Sequence, residues 1–337
     1  MSRNIYYYPN IILIIYSNIL CILYIMNYMI FVYVIIVVLF SVLMYKYYKK
    51  NYDNNVIEFK KENVDIDVYF FSELYLKKSK NRKLWIHLPF EKNSREWESF
   101  GSRTSHKLNL AYMTLCIKSI IDWCGQSYDI IIYDDTNIPV LLPETKVELT
   151  KLSGTLLDKY RELCKLQILC MYGGIMVPPS LFLRKNIKEI DDPKLWFVCE
   201  TYNDDNVSYS NLTHSTQLMG SNAENVELQK YIQIYAKELT KDFVENHNFD
   251  MNYFKENHIP YIDGKLIGTK TRYNDKISIE DLMSNKKIIL DKTHIGLYIP
   301  HDQLIKRRVY NWYCNLSEEE VLKCQVFISY YMLSAME

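Results

Sequence analysis

The segment KLQILCMYGGIMVPPS, residues 165–180, constrains the fold of this chain more than any other stretch. Its apolar residues recur at helical spacing up to Tyr172, and Gly173 and Gly174 then end the helix, because glycine readily takes a positive φ. A short apolar run at residues 175–177 follows at once and predicts a buried strand. A helix that turns directly into a buried strand favours an α/β fold.

The rest of the C-terminal region repeats this alternation. Strands are predicted at residues 83–89, 128–133 and 195–200, and helices at 106–123, 156–172, 224–239 and 318–332. The apolar runs 287–290 and 295–299 are candidates to extend the sheet. We therefore predict a mixed α/β sheet covered by helices, with ligands bound where the strands end, at residues 89–90, 134–137, 178–180 and 200–203.

Charge and cysteine spacing exclude some functions. Lysine plus arginine equals aspartate plus glutamate at 40 each, so no basic field attracts nucleic acid and we expect no nucleic-acid partner. The eight cysteines fall singly, with no CxxC pair, which argues against a structural zinc site. The 30 tyrosines, with abundant Ile, Asn and Lys, are typical of an AT-rich genome such as that of a large DNA virus.

The N-terminal region predicts a membrane anchor. Residues 11–44 contain no charged side chain, and a span over about 24–45 would cover a hydrocarbon core of ~30 Å. A second span over about 11–26 is the alternative. Lysines 46, 49, 50, 60 and 61 follow the span while Arg3 alone precedes it. In a single-pass protein this bias favours a cytosolic C-terminal domain, and a lumenal domain is the alternative. The domain prediction is therefore an anchor at 1–45, a tether at 46–82 and an α/β domain at 83–337.

Two strand-end segments carry candidate site residues. Asp134 and Asp135 end the second strand, where carboxylates can hold a cation or accept ribose and sugar hydroxyls. A strand-to-turn junction, with aspartate capping the next loop, explains them equally well. Arg103 lies in a Gly- and Ser-containing loop before a helix, where backbone amides bind anions; a Ser/Thr N-cap is the alternative.

The order of these motifs resembles the DXD-motif glycosyltransferases, the capsular-polysaccharide and initiating-mannose transferases of GT-A fold. That family shows a helix carrying Asp, then Arg three residues on, then L-x-x-Y-G-G-I-Y-x-D-x-D. Here Glu162 and Lys165 stand where the helix Asp and Arg would be. Leu169, Tyr172, Gly173, Gly174 and Ile175 match the motif, and the similarity covers roughly residues 83–200.

The resemblance implies a nucleotide-sugar donor and transfer of its sugar to a glycan, lipid or protein acceptor. It also implies that Glu162, Lys165 and the glycine pair lie at the donor site, with Arg103 as a further cation. Pro178-Pro179-Ser180 replaces the DXD, however, and proline offers no side-chain ligand to manganese or magnesium. We therefore expect either a transferase without the usual metal site, using Asp134 and Asp135, or a catalytically degenerate member that acts as a binding or structural membrane protein.

Overall fold

A computed structural model of the chain describes residues 65–73, 76, 81–89, 108, 110–145, 147–202, 212–239 and 249–336, together with 29, 33 and 37–46. The chain divides into two compact units, Met1–Glu62 and Asn63–Glu337.

The structure contradicts the predicted membrane localisation. Within the described part of the chain, no helix is long and apolar enough to cross a membrane. Residues 37–46 are helical and expose their side chains. The remainder of the predicted spans, 24–45 and 11–26, lies almost entirely outside the described residues. The single-pass prediction is therefore wrong, and the cytosolic orientation that depended on it falls with it.

The second unit alternates strands and helices over most of its length. The strands are β1 Arg82–His87, β2 Tyr128–Tyr133, β3 Gly174–Met176, β4 Leu181–Leu183, β5 Phe197–Tyr202, β6 Leu212–Ser221, β7 Tyr261–Ile262 and β8 Gly296–Tyr298. The α-helices are α1 Ala111–Cys124, α2 Ile138–Leu141, α3 Gly154–Tyr172, α4 Val226–Glu238, α5 Phe249–Glu256, α6 Ile279–Leu282, α7 His301–Lys306, α8 Glu318–Lys323 and α9 Phe327–Met336. Short 3-10 turns lie at Ile66–Tyr69, Leu149–Lys151, Ile187–Glu189 and Asn311–Asn315.

Six strands form one mixed sheet in the order β2-β1-β3-β6-β5-β7. β1 runs parallel to β2 and to β3, and β5 runs parallel to β7, while β6 is antiparallel to both β3 and β5. The carboxyl ends of β1, β2, β3 and β5 therefore meet at one edge, which is where α/β sheets bind ligands. β4 and β8 form a separate antiparallel pair.

Both faces of the sheet are buried, because alternate residues of β1 and β2 enter different cores. Trp85, Ile131 and Tyr133 join a core cluster with α3 and α4 residues such as Leu169 and Tyr231. Their neighbours Leu84, Ile86, Ile130 and Ile132 are equally buried on the opposite face. The mixed α/β architecture predicted from the sequence is thus confirmed.

Several element predictions need correction. The single helix predicted at 318–332 is two helices, because the backbone at Cys324 is extended between α8 and α9. Residues 287–290 form no strand, and β8, within the run 295–299, pairs with β4 instead of extending the main sheet. β6 was not predicted. Phe70, within the predicted tether, pairs with Ile132 beside β2.

Candidate functional site

A polar cleft opens where β1 and β3 end. Its empty space, counted together with the open solvent at its mouth, is about 360 Å³. Its lining combines ends of β1 and β3 with one residue of α3 and one of β6: His87, Pro89, Lys165, Met176, Val177, Pro178, Pro179 and Gln217. The cleft therefore lies at the edge of the sheet that the strand directions predict.

Asp134, the first of the two predicted carboxylates, stabilises the turn that follows β2. Its Oδ1 accepts the backbone N–H of Thr136 at 2.8 Å and the Thr136 hydroxyl, and its own N–H donates to Asn137 Oδ1 at 3.0 Å. The side chain is buried. This pattern is an Asx turn, so the structure supports the capping alternative for Asp134.

Asp135, by contrast, faces α3 and the cleft wall. Its Oδ1 lies 2.9 Å from His87 Nε2, and Arg161 donates to both of its oxygens through Nε, at 3.2 and 3.1 Å, and to Oδ2 through Nη2. Burial alone would raise the pKa of Asp135, but hydrogen bonds from His87 and Arg161 outweigh it and lower the pKa to about 2. Asp135 is therefore an ionised, largely buried partner of two side chains, with 11% of its side chain exposed.

His87 is held neutral by the same surroundings. Burial lowers its pKa from 6.5 to about 4, against the opposing hydrogen bond to Asp135, and the charges of Lys165 and Arg161 lower it further. With Nε2 donating to the carboxylate, the neutral ring is fixed in one tautomer.

Glu162 and Lys165 form a second, looser pair on α3, and Lys165 of this pair lines the cleft. Lys165 Nζ lies 3.2 Å from Glu162 Oε2, with 18% and 15% of the two side chains exposed. Glu162 Oε1 is buried and has no hydrogen-bond partner. A buried acceptor without a donor costs about 1–3 kcal/mol, which a ligand hydroxyl could offset. This pair is the part of the site that is chemically incomplete.

The glycine pair lies at the other end of the strands. Gly173 has φ +64° and Gly174 φ +113°, and a Cβ on Gly174 would lie 2.3 Å from the Lys83 carbonyl oxygen. Trp85 Nε1 donates to the Gly173 carbonyl at 2.9 Å. The pair thus shapes a tight helix-to-strand turn at the amino end of β3, and the structure does not bring it to the cleft.

The donors at the end of β3 do not suit a divalent metal. Pro178 and Pro179 line the cleft, and Ser180 is buried behind them. Among the residues that the structure describes, no group of three or more His, Cys, Asp or Glu side chains is placed to hold a metal ion. The set of side chains present therefore does not fit the manganese or magnesium of the DXD family.

Two contributors were missed in the sequence. Arg161 precedes Lys165 by four residues, so the helical period alone puts both cations on one face of α3. Gln217 reaches the cleft from β6, a strand with no clear sequence signal. Arg103, the remaining predicted residue, lies outside the described residues.

No protein-family model and no curated protein matches the chain. Two glycosyltransferase structures resemble it in part. One is a glycosyltransferase involved in the glycosylation of the major capsid of PBCV-1. It has a TM-score of 0.33 and 10% identity over 56% of this chain and 84% of that chain. The apo-form glycosyltransferase GlyE of Streptococcus pneumoniae TIGR4 has a TM-score of 0.32 and 10% identity over 55% and 46%.

Proposed function

We propose that this chain is a glycosyltransferase-like protein of GT-A type that binds a nucleotide sugar in the cleft at the carboxyl ends of β1 and β3. Two lines of evidence support the proposal. The motif from Glu162 to Ile175 resembles the DXD-motif transferases, and the cleft opens at the strand ends where α/β sheets bind nucleotides.

The observation that carries the proposal is the incomplete pair of Glu162 and Lys165. Lys165 lines the cleft beside Pro178, so its ammonium is available to a diphosphate without moving any strand. The partnerless Oε1 of Glu162 can accept a hydroxyl of the ribose or the sugar. A cation next to a buried acceptor suits a ligand that carries both phosphate and hydroxyl groups.

The other predicted residues take supporting roles in this proposal. Asp135 is a positioning residue, because Arg161 and His87 already occupy its carboxylate. Asp134 and the glycine pair shape turns. Arg103 stays a prediction as a second cation for the diphosphate, which would offset phosphate charge that a metal carries in the DXD family.

Transfer of the donor's sugar to a glycan, lipid or protein acceptor is the proposed reaction. A degenerate protein that binds the nucleotide sugar without turnover is the second candidate. The replacement of both metal-binding carboxylates by Pro178 and Ser180 favours that second candidate.

Calorimetric titration of the full chain with UDP- and GDP-sugars, in EDTA and in manganese, tests the proposal. We expect binding in EDTA that weakens about tenfold in Lys165→Met, since the charge contact to phosphate is lost. Lys151→Met is the matched control, because Lys151 pairs with Glu148 at the same i,i+3 spacing but is 72% exposed.

Each result has a defined reading. Absence of binding in both buffers, or equal affinity of the Lys165→Met protein, would refute the proposal. Release of free sugar from a bound donor separates the transferase from the degenerate protein, because only an active site that cleaves the glycosidic phosphate bond produces it.

A further inference from the structure

A second polar cluster lies on the same sheet, around β5. His214 on β6 is directly opposite Glu200 on β5 in the antiparallel register. Tyr261 on β7 pairs with Val198, two residues before Glu200, so its side chain shares the face of Glu200. The rings of Tyr261 and His214 stack, with centroids 4.1 Å apart and planes at 28°. The stack creates an aromatic surface beside a carboxylate.

The carboxylate of this cluster is fixed in place. Glu200 Oε2 accepts hydrogen bonds from Lys270 Nζ and from the Gly264 N–H, the latter at 3.2 Å. The Thr269 hydroxyl donates to the Glu200 carbonyl at 2.9 Å and ties the same loop to β5. A carboxylate held by two donors keeps its orientation without a ligand, and it needs little reordering when a ligand binds.

The aromatic part of the cluster is accessible and polar at one edge. Tyr261 is 50% exposed although its ring stacks on His214. His214 Nδ1 is buried and has no hydrogen-bond partner. Burial lowers the pKa of His214, so near neutral pH the ring is uncharged and offers one donor and one acceptor.

We propose that Tyr261, His214 and Glu200 form a binding subsite for a pyranose ring. A sugar presents an apolar C–H face to an exposed aromatic ring and hydroxyls to the groups around it. The Glu200 carboxylate accepts hydroxyl hydrogens. The assignment of this subsite to the acceptor rests on the proposed function, whereas pyranose binding itself does not.

Saturation-transfer NMR on the full chain tests the subsite, with the methyl glycosides of glucose, galactose, mannose and N-acetylglucosamine as probes. We expect transfer to at least one glycoside, with affinity reduced about fivefold in Tyr261→Ala and largely retained in Tyr261→Phe. Tyr273→Ala is the matched control, because Tyr273 is an exposed tyrosine, at 67%, outside the cluster. Since Tyr261 is half exposed, its truncation leaves the fold intact.

Failure of this inference differs from failure of the proposed function. If no glycoside gives saturation transfer, or if Tyr261→Ala and Tyr273→Ala behave alike, the subsite is refuted. Glycoside binding that depends on Tyr261 and persists in Lys165→Met supports the subsite, whether or not nucleotide sugars bind. If nucleotide sugars do not bind in that case, the subsite stands as a glycan-binding site without transfer.

Discussion

The two ends of β1 and β3 differ in how completely their groups are packed and hydrogen-bonded. At the amino end, the Gly174 backbone lies so close to the Lys83 carbonyl that no Cβ fits, and Trp85 Nε1 donates to the Gly173 carbonyl. At the carboxyl end, a cleft lined by Lys165 opens instead, and Glu162 Oε1 is buried without a partner. One end is closed by packing and the other leaves polar groups unsatisfied.

This difference separates stability from binding along a single pair of short strands. Complete packing and hydrogen bonding stabilise the fold, whereas locally unsatisfied groups are expected where a protein binds something. The family motif spans both ends, so resemblance alone cannot tell which of its residues contact a ligand. We therefore expect substitutions at the amino end to lower the stability of the fold, and substitutions in the cleft to weaken ligand binding.

The largest expected effect is on Gly174→Ala. The new Cβ would lie 2.3 Å from the Lys83 carbonyl oxygen, at a φ of +113° that alanine avoids. We expect a loss of about 4 kcal/mol in the free energy of unfolding, from overpacking plus backbone strain. Urea denaturation measures it.

Gly154→Ala is the matched control for that prediction. Gly154 also has a positive φ, +59°, but nothing lies within 4 Å of its added Cβ. Backbone strain alone should cost about 1–2 kcal/mol there. Equal losses in the two variants would show that close packing at β1 and β3 is not the reason for the glycine pair.

The next effect is expected for Asp135→Ala, which removes the carboxylate that Arg161 and His87 share. Truncating one partner of a buried ion pair is costly, and we expect a loss of about 3 kcal/mol by urea denaturation. Asp158→Ala is the control, because Asp158 lies 3.5 Å from the same guanidinium but is 74% exposed. A comparable loss in both variants would mean that burial of Asp135 contributes little.

The third effect is a dependence of stability on pH. Folded His87 has a pKa of about 4 against an ordinary value of 6.5, so between these values the unfolded chain binds more protons. Stability is therefore complete above pH 6.5 and falls by roughly 3 kcal/mol as the pH drops towards 4. Below that, the lowered pKa of Asp135 continues the loss as the pH falls from 3.8 to about 2.

Urea midpoints across this range, compared within each variant, measure the pH effect. His87→Gln should flatten the slope between pH 6.5 and about 4, leaving the smaller contributions of His214 and His294, whose pKa values burial also lowers. A slope that survives His87→Gln in full would assign the proton uptake to other groups.

Local sequence signals predicted the strand β2 and the helix α3. The run Tyr128–Tyr133 is β-branched and bounded by turn residues, and β2 has those bounds. The helical period and the glycine pair likewise predicted α3 to its last residue, Tyr172. Both signals are contained within single elements, which is why they were readable without tertiary information.

The missing parts depend on contacts between distant segments. β6 alternates polar and apolar residues irregularly, and it pairs with β3 and, through a register shift, with β5. Its position therefore follows from its neighbours and not from its own pattern. Asp134 and Asp135 are adjacent and chemically identical, yet only the second faces Arg161. Which of them joins the site depends on the direction of one turn, and no local signal distinguishes them.

The smallest effect on stability is expected for Lys165→Met, and this variant best separates a binding role of the cleft from a structural one. The methionine keeps the apolar stem, and the pair that is lost is already incomplete because Glu162 Oε1 has no partner. We expect a change of about 1 kcal/mol or less in the free energy of unfolding, together with the tenfold loss of nucleotide-sugar affinity. Lys151→Met should change neither quantity. If Lys165→Met destabilises the fold as much as Asp135→Ala, the Glu162–Lys165 pair is structural. The cleft end of the strands would then serve stability, as the glycine end does.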